Sequence, residues 1–439
     1  MNRLPYTVNR YDGACAWPAV NGEQQKESDT YKNARAYEHK KEDTMNVCMY
    51  FQVHQPFRLR KFTIFDIGKS QAYFDEAKNK EVMQKVARKC YLPTNKVMLD
   101  LINKHGSHFK INYSITGCAL EQFALYAPEV LESFQTLADT GNVEFLGETY
   151  YHSLACMFDQ NEFLEQIEKH ERAIKELFGQ KPTVFRNTEL IYHNHLSSML
   201  EHKNYAGILA EGADHVLRGK SPNAVYKTKI ASKLLLKNYR LSDDVAFRFG
   251  DSHRQGSPLT PETYASWIAA SGGVTANLFM DYETFGEHQW ADTGIFTFLQ
   301  KLPQACLNKG LGFHTASDAA KLSAESNLDI PTAVSWADTE RDLSAWLGNK
   351  IQQAAALEVY KLKTPVFATE DPFLIDAWRK LTTSDHLYYM CTKWFNDGDV
   401  HKYFNPYNSP YECYIAFMNI LQDVKQRTAM EEQEWLKIN

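Results

Sequence analysis

The strongest constraint on this chain is an alternation of short apolar runs with amphipathic stretches, sustained from about residue 45 to about residue 340. Residues 46–53, 109–114, 143–146, 183–187, 207–210, 233–236, 245–249 and 274–280 read as strands. Between them lie helical patterns. Residues 120–137 place Phe123, Val130, Leu131, Phe134 and Leu137 on one face, and a second helix opens with Asp159 and Glu162 spaced as a capping box and stops at Gly179 and Pro182. Apolar strands separated by helices belong to an α/β architecture with parallel strands. A β/α barrel is expected rather than an open sheet, because polar residues follow strand ends scattered along the sequence and a barrel gathers such ends at one mouth.

The pattern changes after residue 340. Residues 342–361, 373–381 and 411–435 read as helices without interleaved strands, so residues 340–439 form a C-terminal helical region packed on the barrel of residues 45–339. Residues 1–44 are polar and charge-rich without sustained periodicity, and read as a loosely ordered extension. With 439 residues and 44% apolar composition, the chain can bury a large core. A net charge of −6 gives no electrostatic case for nucleic acid or an anionic membrane surface. Mean hydropathy is −0.47, and no stretch is long and apolar enough for a membrane span. The N-terminus lacks the apolar core of a secretory signal, and the 8 cysteines are scattered without a C-x-x-C pair. Together these predict a reducing, cytoplasmic setting.

Four segments place polar groups at or just past a strand: Val53-His54-Gln55-Pro56, Gly141-Asn142-Val143-Glu144, Phe185-Arg186-Asn187-Thr188-Glu189, and the long run from Leu278 through Asp281-Tyr282-Glu283 to His288. Paired carboxylates meeting in a cleft suit glycoside hydrolysis, one attacking or stabilising the anomeric carbon while the other protonates the leaving oxygen. A single Glu after a strand is usually a surface loop residue, and Trp336 or Trp346 alone is more often core than sugar platform. Asp281 is harder to dismiss, because the run 274–280 breaks directly into two carboxylates. Phosphate-cradling loops, H-E-x-x-H and G-x-S-x-G are absent. His193 and His195, with His152, His54 and Asp281, are possible metal ligands, but they lack the spacing of a recognised zinc motif.

Taken in order, these segments resemble glycoside hydrolase family 57. His54-Gln55-Pro56 is similar to its first signature, Gly141 to Glu144 to its second, Arg186 to Glu189 to its third, Asp281 to His288 to its fourth, and 335–349 to its fifth in the α-amylase-like form. The resemblance implies an incomplete, seven-stranded TIM-like barrel with a C-terminal helical region, a retaining mechanism, no cofactor and no metal. It implies Glu189 as nucleophile and Asp281 as acid/base. His54, Glu144, Glu283, Trp336 and Asp342 are then expected at the sugar subsite, with Asp338 as the alternative to Asp342. Retention further requires the two catalytic carboxyls to lie roughly 5–5.5 Å apart.

The expected activity is cleavage of α-1,4-glucosidic bonds in starch, glycogen or maltooligosaccharides. The competing readings are a 4-α-glucanotransferase, which differs only in its acceptor, a metal-dependent carbohydrate hydrolase or deacetylase, and a glycan-binding protein without catalysis.

Overall fold

The computed structural model describes residues 45–230, 232–251, 258–393 and 405–438; the expected N-terminal extension, 1–44, lies outside them. Among these described residues ten strands form: β1 (Asn46–Val53), β2 (Ile111–Ile115), β3 (Val143–Phe145), β4 (Val184–Arg186), β5 (Gly207–Glu211), β6 (Val225–Lys227), β7 (Lys233–Lys237), β8 (Thr275–Asp281), β9 (Gly312–Phe313) and β10 (Ser326–Asn327). One parallel sheet runs β3-β2-β1-β8, with β9 beside the first residues of β1, and a second runs β10-β6-β7-β5-β4.

The two sheets are halves of one barrel. A parallel bridge from Gly147 to Phe185 carries β3 into β4. At the other seam β7 and β8 share no ladder. There the Asn277 amide donates to the Leu236 carbonyl at 2.9 Å, and the Asn238 N–H donates to the Asn277 carbonyl at 2.9 Å. The ring β1, β2, β3, β4, β5, β7, β8 is therefore a seven-stranded barrel that stays open at one seam. Strand β6 runs antiparallel to β7 outside it.

Strand β1 shows why the chain builds a barrel. Its alternate residues Val47, Met49, Phe51 and Val53 pack outward against helices, while Cys48 and Tyr50 point inward. Both faces are buried, the condition that makes a parallel strand apolar throughout. Inside, Cys48, Tyr50, Leu146, Val184, Leu209, Leu235 and Phe279 fill the barrel, and Ala316 and Ala319 of the short helix Ala316–Ala320 join the same cluster. Tyr50 meets Phe279 edge to face at 5.4 Å, a geometry that contributes about 0.5–1.5 kcal/mol beyond burial.

The helical C-terminal region is present as Lys350–Lys361, Pro372–Leu381, Ser384–Tyr388 and Pro410–Ile438, and Trp346 and Trp378 are buried in its core. Two expectations need correction. The run 245–249 is not a strand: Tyr239–Ala246 is a helix, opened by the Asn238 side chain accepting from the Leu241 N–H. The helix expected over 120–137 is two, Gly117–Tyr126 and Pro128–Asp139, because Pro128 has no N–H to continue the first and is well suited to start the second. Among the described residues no helix is long and apolar enough to cross a membrane, and Cys48, Cys90, Cys118, Cys156, Cys306, Cys391 and Cys413 are free thiols.

Candidate active site

The C-terminal strand ends open into a cleft of about 550 Å³, counting its mouth. Asp281, the last residue of β8, stands level with Gln52 of β1 in the ladder, and both line the cleft with His54, Gln55, Glu283 and His288. Glu189 arrives from β4 through a tight turn. Its own φ of 57° and the 52° of Leu190 are left-handed, a conformation that costs roughly 1–3 kcal/mol per non-glycine residue and persists only where surrounding contacts hold it. Those contacts are specific. Glu189 Oε1 lies 3.0 Å from His152 Nε2, Oε2 accepts from the Trp336 indole N–H at 2.6 Å, and the Glu189 carbonyl accepts from the Trp336 backbone N–H at 3.2 Å.

The two carboxylates sit in opposite electrostatic settings. On the Glu189 side, burial alone would pull the His152 imidazole down, but the carboxylates of Glu148 and Glu189 outweigh it and hold it at about 9. Glu148, completely buried, lies 3.7 Å from His152 and 3.9 Å from Arg186. Burial would raise it, yet His152, His170 and Arg186 keep it below the usual carboxylate range. On the Asp281 side, burial first and the charge of Asp281 second push Glu283 to about 8, so it holds a proton at neutral pH. That carboxyl is bonded to the Tyr91 hydroxyl and to Gln55 Nε2, the latter at 3.3 Å.

The third wall comes from the C-terminal helices. Asp385 places Oδ2 2.9 Å from His54 Nε2, while His54 Nδ1 lies 2.9 Å from the Thr116 hydroxyl. The Ser384 N–H donates to the His152 carbonyl at 2.9 Å and docks this helix on the barrel. His54, His152 and Asp385 bring three potential metal-ligand atoms within 4.8 Å of one another. The two imidazoles are stacked, however, with centroids 3.9 Å apart and planes at 20°. Imidazole lone pairs lie in the ring plane, and here the two planes are stacked one above the other, so an ion between them would sit out of plane for both rings unless they tilted.

Of the residues expected from sequence, Glu189, Asp281, His54, Glu283 and Trp336 line one cleft. Glu144 does not. Its carboxylate accepts from Ser317 N–H at 2.9 Å, at the start of the helix Ala316–Ala320, and from Thr183 ahead of β4, so it serves the opposite end of the barrel. The cleft does not take Asp342 either, which caps the next turn by accepting from Ser344 N–H at 2.8 Å. Asp338 accepts from Thr339 N–H at 2.8 Å and is likewise absent from the lining. The pair His193 and His195 lies outside the cleft as well.

Sequence reasoning missed Glu148, Asp385, Arg58 and Tyr389, and named His152 only as a candidate metal ligand. Glu148 had a signal: functional groups follow a strand's C-terminal end, and β3 ends at Phe145, beyond Glu144. Asp385 had none, since it lies on a helix far from any strand.

Comparisons with known proteins bear on the family and the fold. The model of glycosyl hydrolase family 57 matches residues 48–331. A Methanocaldococcus jannaschii protein provisionally named an alpha-amylase is 41% identical over 394 residues, 86% of this chain and 84% of that one. A GH57-type branching enzyme from Pyrococcus horikoshii superposes with a TM-score of 0.62 at 14% identity, covering 82% of this chain and 87% of that one. The 4-alpha-glucanotransferase of Thermococcus litoralis does so at 0.59 and 15%, covering 79% of this chain and 56% of that one. The two solved structures share the fold, and the sequence matches carry the assignment: the chain belongs to glycosyl hydrolase family 57.

Proposed function

We propose that this cleft cleaves α-1,4-glucosidic bonds of starch, glycogen or maltooligosaccharides with retention, as an α-amylase does. Glu189 is the nucleophile and Asp281 the acid/base. The observation that carries the assignment is the contrast between their surroundings. Glu189 faces a cationic imidazole and an indole N–H, which favour its charged form. Asp281 shares its side of the cleft with the buried Glu283, where two adjacent negative charges are disfavoured, so the pair of carboxyls retains a proton that Asp281 can draw on.

In the first step Asp281 gives its proton to the glycosidic oxygen as Glu189 bonds to the anomeric carbon. In the second, Asp281 takes a proton from the incoming hydroxyl. His54, Glu283 and Trp336 line the subsite at the scissile bond. Glu189→Ala should abolish turnover while leaving maltoheptaose binding intact; turnover near the wild-type rate in that variant refutes the assignment.

The same chemistry with a glucan hydroxyl as acceptor describes a 4-α-glucanotransferase. Products from maltoheptaose separate the two. New reducing ends support hydrolysis, and longer oligosaccharides without them support transfer. We read the enzyme as cytoplasmic, on the strength of free thiols that are buried except at the partly exposed Cys391.

A further inference from the structure

Beneath the Glu189 side of the cleft lies a group of buried charges that the reaction above leaves unused. Lys237 Nζ lies 3.0 Å from Asp243 and 4.0 Å from Glu211, and Arg341 lies 3.1 Å from Asp243 and 3.6 Å from Glu211. Two cations of this region face one ring. The Arg186 guanidinium is 4.9 Å and the Lys237 ammonium 5.2 Å from the Trp336 centroid. Arg186 is completely buried, and its guanidinium nitrogens make no hydrogen bond among the described residues. Its contacts are the indole and the Glu148 carboxylate at 3.9 Å. Arg341 Nη1 adds a hydrogen bond to the Trp336 carbonyl at 2.6 Å.

A buried guanidinium without hydrogen bonds is costly. Here its position has a consequence for the ring it faces. Cations against an indole draw on its electron density and so strengthen its N–H as a donor. That N–H points at Glu189 Oε2.

We propose that Trp336, held against Arg186 and Lys237, is a positioning residue that makes Glu189 a better leaving group. It thereby speeds breakdown of the glycosyl-enzyme at the expense of its formation. The inference rests on Glu189 being the nucleophile. When the Glu189–carbon bond forms, the carboxylate loses charge as the glycosidic bond breaks, and its hydrogen bond to the indole weakens. When water or a sugar hydroxyl bonds to that carbon and yields its proton to Asp281, the Glu189–carbon bond breaks. The electron pair then returns to the carboxylate, and the hydrogen bond strengthens. A donor that binds the free carboxylate better than its ester favours the second step.

Trp336→Phe keeps a ring and removes the N–H. With α-maltosyl fluoride as donor, rapid quench and intact-mass measurement read the fraction of glycosylated enzyme. Breakdown should slow roughly ten- to hundredfold, the effect expected of one hydrogen bond to a charged group. Formation should hold or rise, so KM falls together with kcat. Lys237→Gln should shift the balance the same way by less, and Lys237→Arg should restore it. Equal slowing of both steps in Trp336→Phe overturns the proposal, as does an unchanged balance in folded Lys237→Gln. If Trp336→Phe fails to fold, the two Lys237 variants decide. Peptide mapping keeps the premises apart, because an adduct on a residue other than Glu189 refutes the nucleophile and not the positioning.

Discussion

His54 and His152 lie ring against ring, centroids 3.9 Å apart, yet the cleft drives their protonation in opposite directions. Burial, followed by the charge of His152, lowers His54. His152 escapes the same burial because Glu148 and Glu189 flank it. A neutral ring stacked on a cationic one avoids the repulsion of two adjacent imidazolium ions.

This difference has a sign in stability. His152, raised from 6.5 to about 9, contributes stability that is fully present below pH 6.5 and is lost as pH rises through 9. The melting temperature of the wild type should therefore fall more steeply between these limits than that of His152→Gln. Parallel curves in calorimetry would contradict the account.

Glu283 works the other way. Its carboxyl ionises near 4.5 when unfolded and near 8 in the fold, so it destabilises the native state increasingly from pH 4.5 upward, levelling off above 8. Glu283→Gln keeps the shape and removes the penalty. Its melting temperature relative to the wild type should rise between pH 4.5 and 8, and a gap that stays constant over that range would rule this out.

Gly286 sits at φ 104°, and a Cβ there would stand 2.0 Å from the Lys89 carbonyl oxygen. Backbone meets backbone, so no side-chain rotation relieves the clash. Gly286→Ala should cost about 2 kcal/mol or more in urea unfolding. Activity should fall with it, since the same loop carries His288 into the cleft.

Asp385 tests whether the C-terminal helices belong to the active site. Asp385→Ala removes the partner of His54 Nε2 from a helix that is also docked through Ser384. We expect kcat/KM to drop roughly ten- to hundredfold, the scale of one charge-assisted hydrogen bond, with a melting temperature within a few degrees of the wild type. Undiminished kcat/KM would remove Asp385 from the site.

Much of this was legible in the sequence because its cause is local. An apolar run such as that of β8 must be buried along its length, and its break into Asp281-Tyr282-Glu283 marks where the strand meets the cleft. Glu189, a lone carboxylate after β4, stood out only through the resemblance of residues 186–189 to the family's third signature. Glu144 misled because the strand containing it is short: two residues decide which end of the barrel a side chain serves, and β3 stops at Phe145. Asp342 misled because a carboxylate beside a helix start can cap that helix as readily as bind a sugar.

By itself, then, the sequence determined the strand–helix alternation, the barrel it implies and the carboxylates that strand ends deliver, since hydrophobic periodicity acts over a few residues. The tertiary structure alone decided which groups surround each carboxylate. Asp385 reaches His54 across 331 residues, and Trp336 reaches Glu189 across 147. Protonation and orientation depend on distance in space and on burial, and neither is written in the spacing of residues along the chain.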